Sequence, residues 1–191
     1  MLRPCRYNSR RSASQPTAVK RILVIGPGGA GKTTFAAQLG DLLGLVVIHL
    51  DSLYWGPSWV EPPKADWEAT VEAALERDTW VMDGNYSGTL ERRLATCDAV
   101  VFMDLPRLTC MWRVVRHSLR YRNQTRPDMA SGCPERLSPA FLLWIWNYGT
   151  RTRPKVDRLL EQHAASKTVV RLRSQAEVDA YLASRRQETP N

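Results

Sequence analysis

The tightest constraint on the fold lies in nine consecutive residues. The apolar run Ile22–Ile25 passes at once into Gly26-Pro-Gly-Gly-Ala-Gly-Lys-Thr-Thr, and Lys32–Leu43 then reads as a helix. Strand, glycine turn and helix match the pattern GxxxxGK[ST] at Gly26, Gly31, Lys32 and Thr33. Gly28, Gly29 and Gly31 let the backbone turn its N–H groups inward around phosphate oxygens, where a Cβ would obstruct them. The positive end of the helix dipole and its unpaired amides add to the grip. Gly26, Gly28, Gly29, Ala30, Gly31, Lys32, Thr33 and Thr34 are therefore the expected ATP-binding residues. Lys32 is expected to neutralise charge on the β- and γ-phosphates during transfer, and the Thr33 hydroxyl to coordinate Mg2+. A glycine-rich turn with a chance lysine is the bland alternative, and the full motif in its strand-to-helix context weighs against it.

From Arg21 onward, short β-branched runs alternate with helical stretches, which implies an α/β fold with a parallel sheet covered on both faces. Five strands are expected, at Ile22–Ile25, Leu45–Leu50, Thr79–Met82, Ala99–Met103 and Thr168–Leu172. Lys64–Glu76 predicts a helix with Trp67, Val71 and Leu75 on one face. Leu108–Arg120 predicts another, with Leu108, Trp112, Val115 and Leu119 as its core stripe and Thr109, Arg113, Arg116 and Arg120 on a second face. Tyr121–Leu137 reads as a loop, and Ser138-Pro139 restarts a helix that breaks near Gly149 and Pro154. Ser174 and Glu177 form a capping box for the last helix.

The formal charge of +8 suggests nucleic acid until its distribution is considered. Arg3, Arg6, Arg10, Arg11 and Lys20 fall in residues 1–20 with no acid among them, which leaves 22 basic against 19 acidic residues. Residues 1–20 are expected to be a disordered basic extension, 21–183 the folded domain with a lid near 116–138, and 184–191 a flexible tail. No apolar run approaches the roughly 20 residues of a membrane span. Cys5, Cys97, Cys110 and Cys133 lack CxxC spacing, so reduced thiols in the cytoplasm are the plain expectation. A monomer or weak dimer is expected.

Three aspartates follow apolar strands: Asp51, Asp83 and Asp104. Ligands of open α/β sheets bind at that strand edge. Asp83, before Gly84, ranks first for the Mg2+ shell; Asp104, before Leu-Pro, reads better as structural. Asp51 precedes an aromatic loop with Tyr54, Trp55 and Trp59, which suggests a pocket for a hydroxyl acceptor that a carboxylate can orient or deprotonate. Asp51 holding only a Mg2+-bound water, with the rings covering core, remains the other reading. Arg107, Arg113, Arg116, Arg120, Arg122 and Arg126 occur with no acid between Asp104 and Asp128, and Arg151 and Arg153 follow later. The cluster reads as a lid closing on triphosphate, as a solvated basic face, or as a contact surface for nucleic acid. Arg116, Arg120 and Arg153 are the first choices for contact with ATP or the transition state.

GPGGAGKTT, HLDSLYW, WVMDGNYSGTLERRL, FMDLPR, WRVVRHSLRYRNQTRPDMASGCPE and WIWNY together resemble the adenylate-kinase-related P-loop proteins known in bacteria as DNA topology modulation proteins, from about Arg21 to Leu182. The resemblance implies a nucleoside monophosphate kinase-like three-layer fold, with a five-stranded parallel sheet and an arginine-rich lid. By analogy it places Arg113 and the Arg173-Ser174 turn beside the adenine of ATP. Asp83-Gly84 is followed by Asn85-Tyr86 where adenylate kinases carry Phe-Pro-Arg, so a substrate-binding arginine is missing there. The first functional reading is phosphoryl transfer from ATP to a small acceptor such as a nucleoside, nucleotide or other hydroxyl compound. The alternative is an ATP-dependent regulator of DNA topology that binds nucleic acid through its basic segments. A guanine-specific switch is disfavoured, because no NKxD segment is present.

Overall fold

The computed structural model describes residues 19–121, 132–134 and 137–188. The chain runs β1 (Arg21–Ile25), α1 (Lys32–Leu43), β2 (Val47–His49), α2 (Leu50–Tyr54), α3 (Lys64–Leu75), β3 (Trp80–Asp83), α4 (Ser87–Thr96), β4 (Ala99–Met103), α5 (Arg107–Arg120), α6 (Pro139–Asn147), α7 (Arg153–His163), β5 (Thr168–Leu172) and α8 (Gln175–Glu188). All strand pairings are parallel, in the order β2-β3-β1-β4-β5. β1 is central because its neighbours cover both of its edges, and its apolar side chains alternate between two cores. Leu23 and Ile25 pack with Trp80, Met82, Val100 and Phe102 beneath α3, α4 and α7. Ile22 and Val24 pack with Phe35, Leu39, Val81, Val101 and Val178 beneath α1, α5 and α8. This is the expected three-layer arrangement. β4 is buried along its whole length, which explains the unbroken apolar run AVVFM.

Helix ends follow local chemistry. Gly44 closes α1 in the left-handed conformation, and its N–H bonds the Gly40 carbonyl. Ser138 caps α6 by accepting from the Phe141 N–H at 3.4 Å. Ser174 accepts from the Glu177 N–H at 3.2 Å, and Glu177 reaches back to the Arg173 N–H at 2.8 Å. Between α6 and α7 the chain makes a single wide π turn at Tyr148–Thr152, around Gly149 and just before Pro154.

Four expectations need correction. The second strand stops at His49, because Leu50 and Asp51 already belong to the short α2. Lys20, just before β1, is tied to the domain: its N–H donates to the Asp98 carboxylate at 2.9 Å and its carbonyl accepts from the Trp80 N–H, so ordered contacts begin one residue before Arg21. The C-terminal stretch continues as helix to Glu188, with Arg185 bonded to Glu188 at 2.6 Å one turn on and stacked over Tyr181. The stripe on α5 faces outward: Leu108, Trp112 and Leu119 are 66%, 59% and 67% exposed. Its inner face is made of Cys110, Val114 and Ser118 instead, smaller groups that let the helix approach a glycine loop. The expected extension over residues 1–18, the centre of the lid at 122–131 and residues 135–136 and 189–191 lie outside the described residues.

Candidate active site

The loop between β1 and α1 sits at the carboxyl edge of the sheet, tightly enclosed. Gly26 has φ 148°, and a Cβ there would stand 2.4 Å from the Met103 carbonyl oxygen, so the position requires glycine. Gly29, at φ 77°, lies under α5, where a Cβ would meet the Cys110 carbonyl oxygen at 2.3 Å. Gly28 lies against Phe141 of α6. The Ala30 N–H bonds the Pro27 carbonyl at 3.3 Å, and Gly31 is the N-cap of α1, its carbonyl accepting from Phe35. Lys32, Thr33 and Thr34 form the first turn of α1, with Thr34 exposed.

Lys32 donates from Nζ to the Pro27 carbonyl at 3.0 Å. Burial pulls its pKa below the usual lysine range, and the charges of Asp51 and Asp83 pull it back up. Lys32 thus feels two of the three aspartates singled out from the sequence, Asp51 and Asp83. Asp83, at the end of β3 and only 4% exposed, accepts from the Thr33 hydroxyl at 2.9 Å and pairs with His49 Nδ1 at 2.7 Å. Thr33 and Asp83 are hard oxygen donors in contact, which fits Mg2+. Among the described residues no group of three His, Cys, Asp or Glu side chains could enclose a metal by itself. A cation here would complete its shell with water and phosphate oxygens, as Mg2+ prefers.

Asp51 stands in the first turn of α2 and accepts from the Tyr86 hydroxyl at 2.7 Å. Burial, and then the negative charge of Asp51, push the Tyr86 hydroxyl well above its ordinary pKa, so it remains a donor. Tyr86 also closes an aromatic cluster, with Tyr54 at 4.6 Å and Trp67 at 4.8 Å between ring centroids, while Tyr54 packs edge-on against Trp55 and Trp67. Trp59 joins through Trp55 at 5.3 Å. The loop carrying Trp59 is tied to residues 132–134, within the segment expected to form a lid. Ser58 N–H donates to the Gly132 carbonyl at 2.9 Å, Trp59 Nε1 to the Pro134 carbonyl at 3.1 Å and Cys133 Sγ to the Gly56 carbonyl at 3.1 Å.

The arginines divide. Arg113 reaches the loop, donating to the Ala30 carbonyl at 3.3 Å and to Gln175 at 2.7 Å, beside the Arg173-Ser174 turn. Arg153 lies 3.8 Å from Asp104, which also has Arg171 at 3.9 Å. Asp104 therefore pairs with two arginines. Arg153 and Arg107 line a cavity of about 480 Å³ with Pro27, Trp146, Tyr148 and Arg173. Arg116 and Arg120 do not reach the loop in this arrangement: the guanidinium of Arg116 lies 4.9 Å over Trp112, and that of Arg120 lies 5.6 Å over Tyr121.

Sequence reasoning missed His49, Asn85, Tyr86 and Arg93. Asn85 clasps Gly26 from both sides, accepting its N–H at 3.1 Å and donating to its carbonyl at 2.6 Å. For His49, Asn85 and Tyr86 the one available signal was their place close to Asp51 and Asp83 in the chain, and β2 and β3 pair with His49 opposite Asp83; for Arg93 there was none.

No family model and no curated protein matches the chain. Among solved structures it is similar to a shikimate kinase from Acinetobacter baumannii in complex with shikimate, with a TM-score of 0.54 and 17% identity over 87% of this chain and 90% of that one. A shikimate kinase from Bacteroides thetaiotaomicron matches with a TM-score of 0.50 and 16% identity over 90% and 98%. The fold is thus a P-loop, nucleoside monophosphate kinase-like α/β arrangement around a five-stranded parallel sheet. At these identities the likeness concerns the fold alone.

Proposed function

We propose that this protein is a Mg2+-dependent kinase that transfers the γ-phosphoryl group of ATP to a hydroxyl group of a small acceptor. One observation carries the reading: Lys32, the Thr33–Asp83 pair and the Tyr86–Asp51 pair converge at one sheet edge, with Lys32 electrostatically coupled to both carboxylates. Thr33 and Asp83 would hold Mg2+, which when bound offsets charge on the β- and γ-phosphates. The loop amides and Lys32 grip those phosphates. Asp51, oriented by Tyr86, accepts the acceptor's proton as its oxygen attacks. The aromatic cluster excludes water from that side. Arg113 and the Arg173-Ser174 turn flank the base, and Arg153 approaches the transferring group from the cavity beside Pro27. Arg116 and Arg120 take part only if lid closure swings them off their rings.

Resemblance to the topology modulation group belongs to this proposal, resting on the motifs alone. The exposed stacks of Arg116 on Trp112 and Arg107 on Trp146 favour a second reading, single-stranded nucleic acid bound along α5. The test is ADP release and mass detection of product with Mg2+, ATP and a panel of nucleosides, nucleotides and hydroxylated acids including shikimate. Turnover that Lys32→Ala abolishes supports the kinase. ATP binding without any acceptor, together with salt-sensitive DNA binding that removal of residues 1–18 weakens, supports the second reading.

A further inference from the structure

Arg93 of α4 is fully buried, at 0% exposure, and no ion pair joins it to a carboxylate among the described residues. Its guanidinium is met by three successive carbonyls: Gly84 at 2.9 Å, Tyr86 at 2.9 Å, and Asn85 between them. Burial lowers its pKa to about 9, with Cys97 and Tyr86 pulling it back up. A cation buried with only dipoles for company is costly. Such a group persists where it holds backbone that would not otherwise stay in place. The segment it holds has an unusual backbone: Tyr86 is strained at φ 28°, and Gly84, at φ 138° with Leu50 2.8 Å from where a Cβ would stand, takes a shape open only to glycine.

From this segment one side chain leads to each half of the site. Asn85 clasps both backbone polar groups of Gly26, the first residue of the phosphate loop. Tyr86 donates to Asp51 on the acceptor side. We propose that Arg93 and Asn85 form a strut of positioning residues that holds the phosphate loop in its nucleotide-binding shape and in fixed register with the acceptor carboxylate. Arg93 acts through the 84–86 backbone and Asn85 through Gly26. Neither needs to touch substrate. The inference rests on the reading of the loop as a nucleotide site, but its first readout requires no phosphoryl transfer.

The experiment is calorimetric titration of the full chain and its variants with Mg-ADP, paired with thermal denaturation. Asn85→Ala removes both bonds to Gly26 from a partly exposed position, and should weaken Mg-ADP about tenfold while the protein stays folded. Asn85→Asp keeps the shape but aims an acceptor at the Gly26 carbonyl, and should be no better. Arg93→Lys retains charge without the planar fork that reaches three carbonyls; it should weaken Mg-ADP in the wild-type background and add little to Asn85→Ala. In turnover assays Asn85→Ala should raise KM for ATP more than it changes KM for the acceptor. Wild-type Mg-ADP affinity in a folded Asn85→Ala variant overturns the strut while leaving the nucleotide reading intact. Loss of melting temperature with unchanged affinity assigns Asn85 a structural role only, and also overturns it. If wild type itself fails to bind Mg-ADP, strut and nucleotide reading fall together.

Discussion

The two walls of the cleft are built from different materials. The wall formed by β1, the phosphate loop and α1 is backbone: amides and glycines set so closely that neighbouring main chain leaves no room for a Cβ at Gly26 or Gly29. The wall formed by α5 and α6 is side chain: arginines on long stems, several stacked on rings at the surface. Backbone geometry demands particular residues at particular positions, whereas a guanidinium can reach one point from several places along a helix. The first wall is therefore rigid in what it does, and the second adjustable.

The strongest way to break this contrast is Lys32→Ala. Lys32 supplies the charged side chain of the phosphate loop, and loss of a charge placed on the transition state costs roughly 10²–10³ in rate or more. At least a thousandfold loss of kcat/KM is expected with the melting temperature nearly unchanged, checked by ADP release and thermal denaturation. Turnover within tenfold of wild type in a folded variant would sink the proposed mechanism. Asp51→Asn comes next. It leaves Mg-ADP affinity unchanged but should slow transfer about 10²-fold, the scale of general-base catalysis; Tyr86→Phe, which removes only the orienting bond, should lose less. An acceptor carrying its own phosphate needs no base, so an unchanged rate for Asp51→Asn would point there.

Legibility in the sequence followed the same division. The motif GPGGAGKTT named the phosphate loop because close main-chain approach leaves its mark as glycine, and the five strands showed as apolar runs because a doubly covered sheet buries both faces. Asp83 was legible as a carboxylate ending an apolar run just before Gly84; that its strand lies beside β1, which brings it to Thr33, only the fold reveals. Arg93 was not, since an arginine in a run ERRL reads as solvated surface, and only the fold reveals three carbonyls waiting for it. Arg116 and Arg120 were singled out because they lead into the loop after α5 within an acid-free run of arginines, and neither feature says which way a helix is turned about its axis.

A third prediction tests the seam between the walls. Gly29→Ala forces a side chain into a left-handed position and against the Cys110 carbonyl, so α5 or the loop has to move. A loss of about 1–3 kcal/mol is expected by chemical denaturation, the range for backbone strain and overpacking. If Gly29→Ala costs nothing, α5 does not rest on the loop as described.

The smallest effect is expected on the outer face of α5, and it separates pattern from fold most cleanly. Leu108, Trp112 and Leu119 recur at helical spacing, and by periodicity alone they belong in the core. A core tryptophan cut to alanine costs about 3–5 kcal/mol. With Trp112 at 59% exposure and its ring covered on one side by Arg116 at 4.9 Å, Trp112→Ala should instead cost under about 1 kcal/mol, the worth of an exposed cation–π contact. Urea denaturation of the two proteins measures the difference. A loss of several kcal/mol would mean that α5 is rotated to bury the stripe, which would also carry Arg113 away from the Ala30 carbonyl and dissolve the distinction between the two walls.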